Sequence, residues 1–199
     1  MELNPKDLDK QSAYHLLISS VVPRPIAWVS TISKKGVRNL APFSFFSGVC
    51  AQPMLVSIAV GLRQGKKKDT IKNLEDTGEC VIHVVTNPAA ESMNESSGDY
   101  PADVDEWEVS GVGAEDSVVV KPPRIKGATV AMEGKLYKML EWKAAPMNLA
   151  LIEIVHVHID DRVWDGKSIV VEKLDPIGRL GEDKYARIRE IFRLPRPEV

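Results

Sequence analysis

Apolar positions along the chain fall in short runs rather than in long helical stripes. Arg24–Ile32 is nearly continuous in apolar and small residues, with Trp28 and Val29 at its centre. Met54–Val60 and Glu79–Thr86 repeat the pattern, and Asn148–Asp160 is its clearest instance. Runs of this length, bounded by glycine, proline and polar residues, predict strands. In Asn148–Asp160 the alternation is imperfect, which predicts burial on both faces. Gly127–Trp142 alternates in part, setting Ala131, Glu133 and Lys135 against Met132, Gly134 and Leu136. Lys34-Lys35-Gly36 closes a hairpin between the first run and a second strand, Asn39–Ser47. Pro42 interrupts that second strand. A proline gives no N–H to a ladder, so the strand bulges or lies at a sheet edge.

Helical signals are few and short. A helical turn lies within residues 1–20, and Gly48–Pro53 reads as a connector. Asp69 is a candidate N-cap, Ile71 and Leu74 share a face behind it, and Gly78 supplies the C-terminal glycine. Asn87 with Pro88 opens a second short helix. The pattern over 184–192, with Tyr185, Ile188, Ile191 and Phe192, predicts a terminal amphipathic helix. Strands outnumber helices, with no regular βαβ alternation. The expected fold is therefore mainly β, a Greek-key β-barrel with peripheral helices. No linker divides the chain, so 1–199 reads as one domain with its core over about 12–185.

Composition narrows this only a little. The 199 residues are 44% apolar and 27% charged, ordinary globular usage. The net charge of −2 offers no field for nucleic acid. No apolar run approaches the roughly 20 residues of a membrane helix. MELNPKDLDK has no apolar signal core. Cys50 and Cys80 each sit in an apolar run and read as buried free thiols of a reducing compartment, so the expected location is cytoplasmic.

Candidate chemistry gathers at a few places. Pro23 and Pro25 hold Arg24 extended, as a surface arginine or an anion contact. Asn39, Ser44 and Ser47 lie among Phe43, Phe45 and Phe46, small polar groups beside aromatics that suit a flat heterocycle. Arg63, Lys66, Lys67 and Lys68 precede the helix at Asp69-Thr70, a credible phosphate cradle. A carboxylate at the helix start opposes an anion there. His83 reads as a satisfied core histidine. Asp103, Asp105 and Glu106 read as a wet acidic loop. His156, His158 and Asp160 share a strand face. No adjacent Cys/His pair completes a metal site, so the expectation is no metal, with His158 a substrate-side candidate. Gly111 and Gly113 do not make a dinucleotide fingerprint.

Taken in order, Pro23-Arg24-Pro25-Ile26-Ala27-Trp28-Val29-Ser30-Thr31, Asn39-Leu40-Ala41-Pro42-Phe43-Ser44-Phe45-Phe46, Lys68-Asp69-Thr70 with Asn73, His158-Ile159-Asp160-Asp161 and Gly178-Arg179-Leu180-Gly181 resemble the flavin reductase-like family with the FMN-binding split-barrel fold. The sub-branch looks like the flavoredoxin-type proteins. The resemblance implies a homodimer with FMN near the subunit interface. It implies that Asn39, Ala41, Pro42, Ser44 and Phe45 run along the isoalloxazine. Arg24, Thr31, Lys68, Asp69 and Thr70 would hold ribityl and phosphate. It further implies NADH or NADPH as reductant of FMN, with a small-molecule electron acceptor or a redox protein partner. The alternative it leaves open is a flavin-binding electron carrier or flavin-storage protein without its own NAD(P)H activity. Hydride chemistry belongs to the flavin, so no catalytic side chain is expected.

Overall fold

The computed structural model describes residues 1–101, 103–142 and 145–197. After a short 3-10 turn come α1 (Lys10–Ser20), β1 (Ala27–Ile32), β2 (Arg38–Phe43), β3 (Phe46–Ala51), β4 (Met54–Gly61), α2 (Asp69–Thr77) and β5 (Glu79–Val84). α3 (Ala90–Glu95) and α4 (Glu106–Ser110) follow, then the short strands β6 (Ala114–Glu115) and β7 (Arg124–Ile125). The long hairpin β8 (Val130–Glu141) and β9 (Met147–Ile159) precedes α5 (Val171–Leu174), β10 (Ile177–Arg179) and β11 (Tyr185–Arg187).

Seven strands form one antiparallel sheet in the order β2-β1-β5-β8-β9-β4-β3. Its two edge strands, β2 and β3, are separated in the chain only by Ser44 and Phe45. Strands about 4.8 Å apart cannot bring the first and last of seven so close unless the sheet curls round. It therefore wraps into an incompletely closed barrel, as the alternating apolar runs predict.

Alternation sorts each strand between two cores. Ala27, Val29, Phe43, Ile58, Ile82, Ala150 and Ile152 pack inside the curl, closed at one end by Ile71 and Leu74 of α2. Trp28, Leu40 and Val85 face outward and are covered by Met93, Trp107, Ile125 and Ile177 from the peripheral segments. β1 is buried on both faces, which explains its unbroken apolar sequence. At the β8–β9 irregularity Gly134 stands against Ile152, where a Cβ would clash with the Ile152 side chain.

Three expectations need correction. The segment 184–192 is not a helix: Tyr185–Arg187 pairs with β10, and residues 188–197 lie in no strand or helix. Ile188, Ile191 and Phe192 are exposed, so no apolar surface rewards a helix there. Gly48–Pro53 is largely strand β3, hydrogen-bonded to β4. Cys50 is consequently exposed on an outer strand, whereas Cys80 is buried, with its thiol pushed up to about 12 by burial.

His83 is the satisfied core histidine expected. The Ile125 N–H donates to its Nε2 at 2.9 Å, so the ring proton sits on Nδ1 and donates to the Trp28 carbonyl at 2.9 Å. Burial lowers its pKa to about 4. A histidine that folds neutral contributes stability above its unfolded pKa, and this is lost as pH falls through the folded one. Denaturant unfolding should therefore show stability falling between about pH 6.5 and 4, by up to about 3 kcal/mol from this group. His83→Gln should have a flatter profile over that window.

Candidate functional site

β2 pairs with β1 from Arg38 to Phe43 with no register shift, so Pro42 marks an edge and not a bulge. The Leu40 N–H points away from β1 and donates to Glu106 Oε2 at 3.3 Å. Pro42, two residues on, has the same outward orientation, so its missing N–H removes no ladder bond. The free edge of β2 thus borders a cavity of about 530 Å³. Its other walls are the 63–68 loop, the start of α2, and Ser96–Pro101.

The 63–68 loop divides its cations by task. Gln64 and Gly65 take positive φ, turning the chain so that Arg63 bridges to Lys66. Arg63 fastens the far wall, donating to the Tyr100 carbonyl at 2.8 Å and the Asp99 carbonyl at 2.9 Å. Lys67 is held by Glu141 and Glu75, which raise its pKa. Lys66 and Lys68 line the cavity without an acidic partner among the described residues. The N-cap of α2 is Lys68, not Asp69, and no side chain caps it. The Asp69 and Thr70 N–H groups make no hydrogen bond among the described residues. Two cations without an acidic partner among the described residues thus stand beside uncapped N–H groups at the end of a nine-residue helix, a positive end where the helix dipole favours negative charge.

Behind this end lies a buried amide–hydroxyl cluster. Asn39 Nδ2 donates to Thr31 Oγ1 at 3.2 Å and Thr70 Oγ1 at 3.0 Å, and Asn73 Nδ2 reaches Thr31 at 3.0 Å. It ties β1 and β2 to α2. Asn39 and Thr70 line the cavity, whereas Thr31, fully buried, supports them from behind.

The remaining expected residues lie across Pro42 and Phe43, which also line a second cavity of about 190 Å³. Arg24 and Ser44 border it with Tyr14, Arg179 and Tyr185. Arg24 is buried, and its guanidinium donates to the carbonyls of Ile18 at 2.5 Å, Val21 at 2.9 Å and Leu180 at 2.7 Å, and to Ser44 Oγ at 3.3 Å. Its charge also lies 5.9 Å from the Phe45 ring centroid. Through four of its five N–H groups Arg24 fastens α1 and the 180 loop to the β2–β3 link.

The structure thus brings Asn39, Ala41, Pro42, Lys68, Asp69 and Thr70 to one cavity. It places Arg24 and Ser44 at the adjoining one and Thr31 behind the wall. His158 lines neither, because its Nε2 lies 2.6 Å from Glu133 Oε1. The acidic segment is corrected too. Asp105 caps α4 and pairs with Arg38, and Glu106 is buried against the cavity, where burial raises its pKa. Sequence reasoning missed Glu106, Ser96 and Tyr100; the available signal was an acid beside Trp107 in a segment too apolar for a wet loop.

A family model described as flavin reductase like domain matches residues 19–169. An uncharacterized protein of Aquifex aeolicus is 41% identical over 189 residues, 94% of this chain and 95% of the relative. Among solved structures, nitrilotriacetate monooxygenase component B from Bacillus cereus is 32% identical with a TM-score of 0.93, covering 98% of each chain. The 2-nitrobenzoate 2-nitroreductase of Pseudomonas fluorescens is 31% identical with a TM-score of 0.91, covering 99% of this chain and 96% of that one. No described helix is long and apolar enough to cross a membrane.

Arg24→Ala strips three carbonyls of their donor, so it should destabilise the fold by about 3 kcal/mol or more. Arg24→Lys should recover only part of this, since one ammonium cannot span the same carbonyls. Denaturant midpoints of the two variants check both statements.

Proposed function

Since the chain belongs to the flavin reductase-like domain family, we propose that it binds FMN and acts as an NAD(P)H-dependent flavin reductase. The observation that carries this reading is the cavity at the β2 edge. It joins an apolar ledge, Ala41, Pro42 and Phe43, to an anion-binding helix end with Lys66 and Lys68. Those are the two halves of an FMN molecule: a flat ring and a phosphate, joined by a polyol that Asn39 and Thr70 can meet. Thr31 supports Asn39 from behind, and Arg24 borders the adjoining cavity.

When bound, FMN supplies hydride acceptance from a nicotinamide and donation to an acceptor. The chain's share is binding and placement. Lys66, Lys68 and the Asp69 and Thr70 N–H groups offset the phosphate charge, and the α2 dipole adds to them. Pro42 and Phe43 give the ring a dry, rigid face. The second cavity across Pro42, bordered by Tyr14, Arg179 and Tyr185, is where a nicotinamide or acceptor approaches. Two of the similar solved structures are a monooxygenase component and a nitroreductase, which supports an oxidoreductase and leaves the acceptor as the point of divergence.

The homodimer belongs to the same proposal. Tyr14 and Leu17 of α1 with Val21 just past its end form an exposed apolar stripe, and Val49, Met54, Tyr137 and Val155 are exposed on β3, β4, β8 and β9. A second copy of the chain is the cover this surface fits. Light scattering of the purified protein should give twice the chain mass, and a monomer at micromolar concentration would remove the dimer from the proposal.

The reductase reading is tested by the visible spectrum of FMN-loaded protein before and after NADH, then NADPH. Bleaching of the flavin band is the expected result; a yellow protein that neither nucleotide reduces would make it a carrier or store. Lys68→Ala and Lys66→Ala should each weaken FMN binding by about 10- to 100-fold, one charge-assisted contact apiece. Lys67→Ala should change it far less. Equal affinity across the three variants would move the phosphate elsewhere.

A further inference from the structure

We propose that Glu133, His156 and His158 form a first-row transition-metal site, with Zn²⁺ the ion that fits its donors. The sequence supplied only the two histidines; the fold adds the third group. In the β8–β9 pairing Glu133 lies opposite His156 and Ala131 opposite His158. The three side chains therefore share one face, and one ligand atom from each lies within 4.8 Å of the others. Two imidazoles and a carboxylate are a common donor set for Zn²⁺.

The carboxylate is already oriented as an outer shell would orient it. Glu133 Oε1 accepts the Val118 N–H at 2.7 Å, and Oε2 accepts those of Val119 at 2.6 Å and Val120 at 3.0 Å. The remaining contact of Oε1 is His158 Nε2 at 2.6 Å, which requires a proton between them. A metal ion takes the place of that proton. With Zn–N and Zn–O bonds of about 2.0–2.2 Å, a tetrahedral site needs those two atoms roughly 3.4 Å apart. The needed opening is under about 1 Å, within the reach of a side-chain rotation at His158. His156, whose ring centroid lies 4.7 Å from that of His158, completes three protein ligands. Both rings are partly exposed and give the ion its entry, while Glu133 is fully buried. On binding, His158 Nε2 gives up its hydrogen and the metal takes its place, while the three backbone bonds to Glu133 persist. Water takes the fourth position.

None of the three residues lines either cavity described above, so metal and flavin binding are separable. The test is calorimetric titration of untagged, chelator-treated, FMN-loaded protein with ZnCl₂, and with CoCl₂ as an absorbance probe of tetrahedral geometry. One ion per chain is expected. His156→Ala and His158→Ala should each weaken Zn²⁺ binding by more than the roughly 100-fold of an outer-shell loss, with FMN affinity unchanged. Cys50→Ser should bind as the parent does. Glu133 also carries the 118–120 loop, so the histidine variants decide the matter. Absence of stoichiometric Zn²⁺ binding, undiminished affinity in His156→Ala, or loss of binding in Cys50→Ser would each overturn the proposal.

Discussion

Two residues, Ser44 and Phe45, join the first and last strands of a seven-stranded sheet. Most of the architecture follows from that short span. It forces the curl, which creates an interior for Val29, Ile58, Ile82 and Ile152. It also leaves one edge of β2 without a partner strand, and a peptide edge beside a curved wall is a natural ligand ledge. The span does not hold itself. Arg24 clamps it through Ser44 while gathering carbonyls from α1 and the 180 loop. A desolvated guanidinium is costly by itself, and here the carbonyls and Ser44 offset that cost.

Electrostatics at the site follow a division of labour that net charge conceals. All four cations of the 63–68 loop line the cavity, but one fastens backbone, one is neutralised by glutamates, and two have no acidic partner among the described residues. The overall charge of −2 carries no trace of this. Local pairing, not composition, sets the potential an anion meets. The same holds at Glu106, whose burial gives the cavity an acid that a count would place in solvent.

The strands were legible because burial and alternation are local signals. β1, β4, β5 and β9 follow their apolar runs, and Gly78 ends α2 as its φ of 73° requires. The differences share a cause: a residue's role depended on a partner that the local spacing of side chains does not show. Tyr185 looked helical by spacing, but β10 was available to pair with it. Arg24 looked free because its acceptors, Ile18, Val21 and Leu180, are carbonyls that no side-chain pattern announces. Asp69 looked like a cap, yet the helix begins one residue earlier in hydrogen-bonding terms. His158 looked like a ligand-facing histidine because Glu133 lies 25 residues away in the chain. Family resemblance ordered these pieces correctly but could not assign each side chain its contact.

The uncapped start of α2 has a further consequence. Its first N–H groups lack the side-chain acceptor that most helices carry, so an anion that settles there does the work of a capping residue. Helix stability and ligand occupancy are then one equilibrium: the empty chain opens more often at this end, and the loaded chain less. α2 also closes the barrel interior through Ile71 and Leu74. An anion bound at this end would therefore also hold the helix that closes the barrel interior.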